Sequence, residues 1–215
     1  MPPQILRAGD CGGIFPAFLS VFSLPTPGYV LKYTIIMPRM NRIFSILLAL
    51  LLMLGFHGCQ QQLNSNARTP KYVYHAGYTP KKLRSGKVTV PYKAPARIKK
   101  AIAAGNKIVG KPYRLGGGHG KHYDKAYDCS GSVAFILHEC GMLKKDSYPS
   151  SRDFLKWGHP GFGKWLTVYA KRGHVFLIIA GMRFDTTGTS RGVGPRWYTE
   201  SRPCGGFYVR HIPGL

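Results

Sequence analysis

The chain has 215 residues and an ordinary 44% hydrophobic content, enough for one globular domain plus extensions. Its 31 Lys and Arg against 8 Asp and Glu give a formal charge of +23, and no acid occurs between Asp10 and Asp124. Such a field excludes polycationic partners and favours polyanions: nucleic acid, anionic lipid headgroups or acidic cell-wall polymers.

Residues 1–39 carry several prolines and no clean periodicity. They read as a mis-called upstream extension, with a disordered cytoplasmic tail as the alternative. Met40 is then the natural start. Residues 40–59 begin with Arg42 and continue as an apolar run from Ile43 to Leu54. About twelve apolar residues suit a signal-peptide core and fall short of the about 20 that a transmembrane helix needs. The run ends in Gly58-Cys59, which resembles a bacterial lipobox, so Cys59 is the expected lipidation site. Phe56 and His57 depart from the usual small or aliphatic residues there, and a plain signal peptide is the alternative. The expected location is the exported bacterial envelope, anchored to a membrane by lipid and periplasm-facing if the cell is Gram-negative. Export removes nucleic acid as an expected partner.

Residues 60–94 are polar, basic and interrupted by Pro and Gly. Nothing in them buries enough apolar area to offset ordering, so they read as a tether. Its cations would meet anionic envelope polymers or lipid headgroups.

The folded domain is expected over 95–215. Pro95 suits a first helical turn, and Ile98, Ala101, Ile102, Gly105, Ile108 and Val109 recur at helical spacing until Gly110 and Pro112. A loop, "YRLGGGHGKHYDKAYD", follows. A second helix carries the stripe Val133, Ile136, Leu137 and Cys140, with Gly141 as its stop. Projecting that stripe back by four residues puts Cys129 in the first turn, where the helix N-terminus favours a thiolate. "PSSRDFLKWG" has a capping-box-like Ser150 and Asp153 before a short helix ending at Gly158. The period then changes. Residues 164–170, 173–180, 183–187 and 206–212 are β-rich, with a hairpin at "AKRG". Helices first and strands afterwards predict α+β, with the helices packed on an antiparallel sheet.

A nucleophilic cysteine needs a base, and the base needs an orienting partner. His138 lies nine residues after Cys129, about half a turn around the same helix, and points away. His119 and His122 lie in a mobile-looking loop. His174 opens the most hydrophobic strand and stands at its rim, which makes it the candidate base. A zinc cluster of His119, His122 and Cys129 fits no common spacing, so neither metal nor cofactor is expected.

"GKPYRLGGGHG", "YDCSG", "GHVFLIIAG" and "RFDTTG" together resemble the NlpC/P60 cell-wall peptidases, a compact papain-like group, over residues 95–215. The resemblance implies a cysteine helix packed on an antiparallel sheet that carries the histidine. It implies Cys129 as nucleophile, His174 as general base and Tyr113 as a group polarising the scissile carbonyl. It also implies Asp128 and Ser130 as positions holding the ends of a peptidoglycan stem peptide, while Asp128 reads equally as a helix N-cap. For the third catalytic position the family register, anchored on Phe184, falls on Thr186. Asp185 beside it is the better orienter because it accepts a charge-assisted hydrogen bond. The strand's alternation allows only one of the two to face His174.

The implied activity is a cysteine endopeptidase cutting peptidoglycan stem peptides through a thioacyl intermediate. The alternatives are a non-catalytic wall-binding lipoprotein of the same fold, or a Cys–His amidase or acyltransferase. Cys140 and Cys204 either pair or remain free buried thiols. Cys129 and Cys140 are separated by about 16 Å of helix, too far for a disulfide.

Overall fold

The computed structural model describes residues 62–120, 123–144, 146–187 and 193–215. The expectations for residues 1–61, including the leader and Cys59, lie outside the described residues, as does His122.

Among the described residues two α-helices precede an antiparallel sheet, so the predicted α+β class holds. Helix α1 spans Ala96–Ile108 and buries Ile98, Ala101, Ile102, Ala104, Gly105 and Ile108. Gly105 is a packing hole: a Cβ there would lie 2.5 Å from Cζ2 of Trp197. Helix α2 spans Cys129–Glu139, and all nine residues from Cys129 to Leu137 are buried. Beyond the predicted apolar stripe, the small residues Ser130, Gly131, Ser132 and Ala134 are buried as well, and at Gly131 a loop seats directly on the helix. The Ser150–Asp153 box forms, with Ser150 N–H and Oγ–H both donating to Asp153 Oδ2 at 2.9 and 2.7 Å. It supports only a single 3₁₀ turn, Asp153–Lys156.

Among the described residues six strands follow: β1 His159–Pro160, β2 Leu166–Lys171, β3 His174–Ile179, β4 Met182–Asp185, β5 Arg196–Tyr198 and β6 Tyr208–His211. Their order in the sheet is β1-β6-β2-β3-β4-β5, and every pairing is antiparallel. The predicted hairpin joins β2 to β3 with Lys171 opposite His174. β1 and β5 are two and three residues long, too short for an alternation pattern to reveal.

The sheet is apolar on both faces. Leu166, Val168, Ala170, Val175, Leu177, Ile179, Met182 and Phe184 pack with the helices in the main core. Tyr169, Phe176, Ile178, Phe207, Val209 and Cys204 form a second cluster, on which Leu63, Ala67 and Phe162 pack. Leu63 and Ala67 belong to the segment expected to be a tether, and that expectation is corrected. Leu63 N–H donates to Phe207 O at 2.8 Å and Gly206 N–H returns to Leu63 O at 2.9 Å. Gln62 bridges Tyr208 and so continues the outer edge of β6 beyond the short β1. Farther along, Lys82 pairs with Val88 in a small cationic hairpin, and Tyr78 stacks on Trp165. The segment docks through main-chain hydrogen bonds and a few small buried residues, Thr69, Thr79, Val88 and Ala94. Neither kind of contact leaves a hydrophobic period in the sequence.

Asn106 of α1 fastens this segment to the core. Its Oδ1 accepts from Val88 N–H at 2.9 Å and Trp197 Nε1–H at 3.1 Å, and its Nδ2 donates to Val88 O at 2.7 Å. Asn106→Leu would strand three polar groups, and unfolding by denaturant should report a loss of about 2–3 kcal/mol. Asn106→Asp keeps the acceptor and should lose less. A loss below about 0.5 kcal/mol in Asn106→Leu would show that water replaces the clamp.

Candidate active site

Cys129 begins α2, as its spacing predicted, and is 8% exposed. Asp128 caps the helix: its Oδ1 accepts from Gly131 N–H at 2.7 Å. The loop before it is held to the same carboxylate, with Gly116 N–H donating to Oδ2 at 2.9 Å. Close approach requires the glycines here. A Cβ on Gly131 would sit 2.0 Å from Gly117 O, and one on Gly118 would sit 2.5 Å from the Tyr127 ring. The "GGG" and "DCSG" stretches are thus two halves of one contact, which brings Tyr113 beside the sulfur. Burial raises the Tyr113 hydroxyl pKa, and negative charge on Cys129 and Asp128 raises it further.

His174 opens β3 across from α2. Its Nε2 lies 2.9 Å from Asp185 Oδ1 and 2.8 Å from Thr187 Oγ1, with Arg202 Nη1 at 3.4 Å. The Cys129 thiol is close enough to the same ring to act on its charge. With Nε2 engaged by Asp185, Nδ1 is the nitrogen left for sulfur. Burial alone would lower the His174 pKa. The hydrogen bond to Asp185 and then the nearby Cys129 thiol, with the negative charge of both, outweigh burial and lift it to about 9.

The structure decides between Asp185 and Thr186 as the partner of His174. Among the described residues, the side chains at Nε2 are those of Asp185, Thr187 and Arg202, and Thr186 is not one of them. Phe184 pairs with Leu177 and faces the helices, so Asp185 faces the side of His174 and Phe176. The Asp185 carboxylate is fully buried and its acceptor positions are filled. Oδ1 takes His174 and, at 3.0 Å, Thr187 N–H; Oδ2 takes Arg183 Nη1–H at 2.7 Å and Arg202 Nη1–H at 2.6 Å. Burial would raise its pKa, but the hydrogen bond and charge of His174, the Arg202 cation and the Thr187 N–H hold it well below the carboxylate range.

Sequence reasoning missed Arg183 and Arg202. Arg183 had a usable signal, since it precedes Asp185 by two in one strand and must share its face. Arg202 lies on an irregular segment 17 residues later and had none.

Asp128 and Ser130 are drawn together, but mainly with each other and with His119. His119 Nε2 lies 3.2 Å from both Asp128 Oδ1 and Ser130 Oγ, and Ser130 Oγ–H donates to Asp128 Oδ1 at 3.1 Å. The hydrogen bond to Asp128 raises the His119 pKa, against burial. His119 is therefore held in place, unlike the mobile residue its glycine-rich surroundings suggested. An open groove of about 420 Å³, lined by residues including Tyr148, Asp153, Lys156 and Trp157, contains none of Cys129, His174 and Asp185.

Cys129, Cys140 and Cys204 are free. Cys140 belongs to the core between sheet and helices and Cys204 to the cluster on the other face, so they do not pair. Burial pushes the Cys140 thiol up to about 11 and raises that of Cys204 as well.

Chemically, the arrangement is a thiol at a helix N-terminus, an imidazole beside it, and an ionised carboxylate fixing that imidazole. Brief iodoacetamide treatment near neutral pH should label Cys129 well ahead of Cys140 and Cys204, as peptide mapping would show. Asp185→Ala should slow Cys129 labelling by about tenfold or more, less than the about hundredfold or more that losing the base outright would cost. Thr186→Val should leave it near the parent rate. Equal labelling of the three thiols, or the reverse ranking of the two variants, would sink this assignment.

The chain matches no family model, and no curated protein matches it.

Proposed function

We propose that this chain is an exported cysteine endopeptidase of papain-like, NlpC/P60 type that cuts peptide bonds in peptidoglycan stem peptides. The observation that carries this reading is the His174 ring, hydrogen-bonded to Asp185 on Nε2 and close enough to the Cys129 thiol for each to act on the other's charge. The Cys129 thiolate attacks the scissile carbonyl carbon, and the oxyanion forms beside the exposed Tyr113 hydroxyl. The His174 imidazolium gives its proton to the departing amine, leaving a thioacyl-enzyme. Neutral His174 then takes a proton from water, which releases the carboxylic acid and restores the thiol–imidazole pair. Asp185 stays ionised throughout, because two guanidiniums share its other oxygen.

Asp128 and Ser130 border the nucleophile and supply the polar end of the substrate site. With three donors already at Asp128 Oδ1, an incoming amine would take the place of His119 there. The cationic residues of the N-terminal segment, Lys71, Lys81, Lys82, Arg84, Lys87 and Lys93, are all exposed. They share the segment with exposed Val73, Tyr74, Leu83, Val90 and Tyr92. Cations mixed with apolar side chains suit an anionic headgroup layer or wall polymer.

Incubation with purified sacculi, followed by mass spectrometry of the muropeptides, tests the activity. Stem peptides shortened between two of their amino acids are expected, and Cys129→Ala should abolish them. Release of whole stems from sugar would assign an amidase instead. No change with the parent protein would leave a wall-binding protein without activity.

Lipid on Cys59 accounts for the Gly58-Cys59 junction after the apolar run. Cys59→Ala should convert a membrane-bound, processed protein into a soluble or unprocessed one. A Cys59→Ala protein that fractionates and migrates like the parent would rule out the anchor.

A further inference from the structure

The N-terminal segment does more than cover the sheet. Thr69, 3% exposed, makes three hydrogen bonds to residues 201 and 202. Its N–H donates to Arg202 O at 2.9 Å, its Oγ1 accepts from Arg202 N–H at 2.9 Å, and its carbonyl accepts from Ser201 Oγ–H at 2.6 Å. Arg68 adds a bond from Nη2 to Ser201 O at 3.1 Å. The backbone of Arg202 is thus fixed by a partner 133 residues away in sequence. From that backbone the side chain lies over the Phe176 ring at 5.0 Å, and its Nη1 meets Asp185 Oδ2 and Thr187 Oγ1 at 2.6 and 3.1 Å.

We infer that the N-terminal segment is part of the catalytic unit: Thr69 positions Arg202, and Arg202 positions and electrostatically sets the Asp185–His174 pair. Neither residue touches the thiol, so both are positioning residues. The inference rests on the Cys129–His174 pairing of the proposed function, but not on its substrate.

Among the described residues, the charged and titratable groups around His174 are few. Cys129 comes from α2, Asp185 and Arg183 from β4, and Arg202 from the segment after β5. Lys171 stands opposite on β2 with its ammonium 4.7 Å from the Phe207 ring centroid, and Tyr198 of β5 lies near Asp185. Arg202 is the cation at Nε2, 3.4 Å away. It disfavours a charged imidazole directly, and it draws Asp185 charge toward Oδ2 and away from the ring. Both effects have one sign: without Arg202, His174 should hold its proton to higher pH.

Alkylation by iodoacetate reads this out without any wall substrate. The Cys129 thiolate displaces iodide from the reagent, and the reagent's negative charge makes the rate depend on a protonated His174. The rate should therefore fall on the alkaline side as His174 deprotonates. In the purified full chain, Arg202→Met should move that alkaline limb up by about half a pH unit or more. Thr69→Val, which leaves the cation but loosens its backbone, should move it the same way by less. Arg202→Lys keeps the charge and should stay close to the parent. Lys100→Gln, at an exposed position of α1, should not move the limb. A role in folding alone would lower the rate without moving the limb. If circular dichroism shows Arg202→Met unfolded, the Thr69→Val limb decides. Limbs for Arg202→Met and Thr69→Val that coincide with the parent, or an equal shift in Lys100→Gln, would overturn the inference. Failure to digest sacculi with these shifts intact would remove the peptidase and leave the relay.

Discussion

A sheet that is apolar on both faces must be covered twice. The helices cover one face with Ile98, Ile102, Val133, Ile136 and Leu137, and the segment carrying Leu63 and Ala67 lies on the other. Burial on both faces explains why "HVFLII" is a continuous apolar run with no alternation. It also dictates where a polar group can stand. His174 is at the first residue of that strand, where the buried layers end and a polar side chain can meet both α2 and solvent.

The site then turns on a buried charge. Taking the Asp185 carboxylate out of water is costly unless its lone pairs are filled, and here four donors fill them. Two are guanidiniums, so the carboxylate is more than neutralised, and the imidazole is held without taking up its whole charge. A lone Asp–His pair would grip the proton more tightly. The two arginines temper that grip, which matters for the proton transfers of the proposed mechanism.

The features legible in the sequence were those governed by period and local capping. α1, α2 with Cys129 in its first turn, the β2–β3 hairpin and His174 at a strand start all follow from spacing within about fifteen residues. Asp185 was legible as chemistry but not as geometry, because the choice against Thr186 depends on which face β4 turns to β3. The N-terminal segment was misread for a physical reason. Its composition is that of a solvated linker, and its docking uses main-chain groups that every sequence possesses. Arg202 shares that obscurity: among 31 cations nothing marks it as one that reaches the Asp185 carboxylate.

Pairing between the first and last parts of the described chain has a consequence for the order of assembly. Gln62 bonds Gly206 across 144 residues, and Thr69 bonds Arg202 across 133. In vectorial synthesis or translocation the early strand of this pairing emerges first and has nothing to dock on until the final strand follows it. Loops of this size raise the contact order and slow closure. The second face of the sheet therefore stays uncovered, and the carboxylate at its edge lacks one of its cations, until residues 202–208 have followed. The Asp185–His174 pair is in this way kept incomplete while the backbone before it is already made.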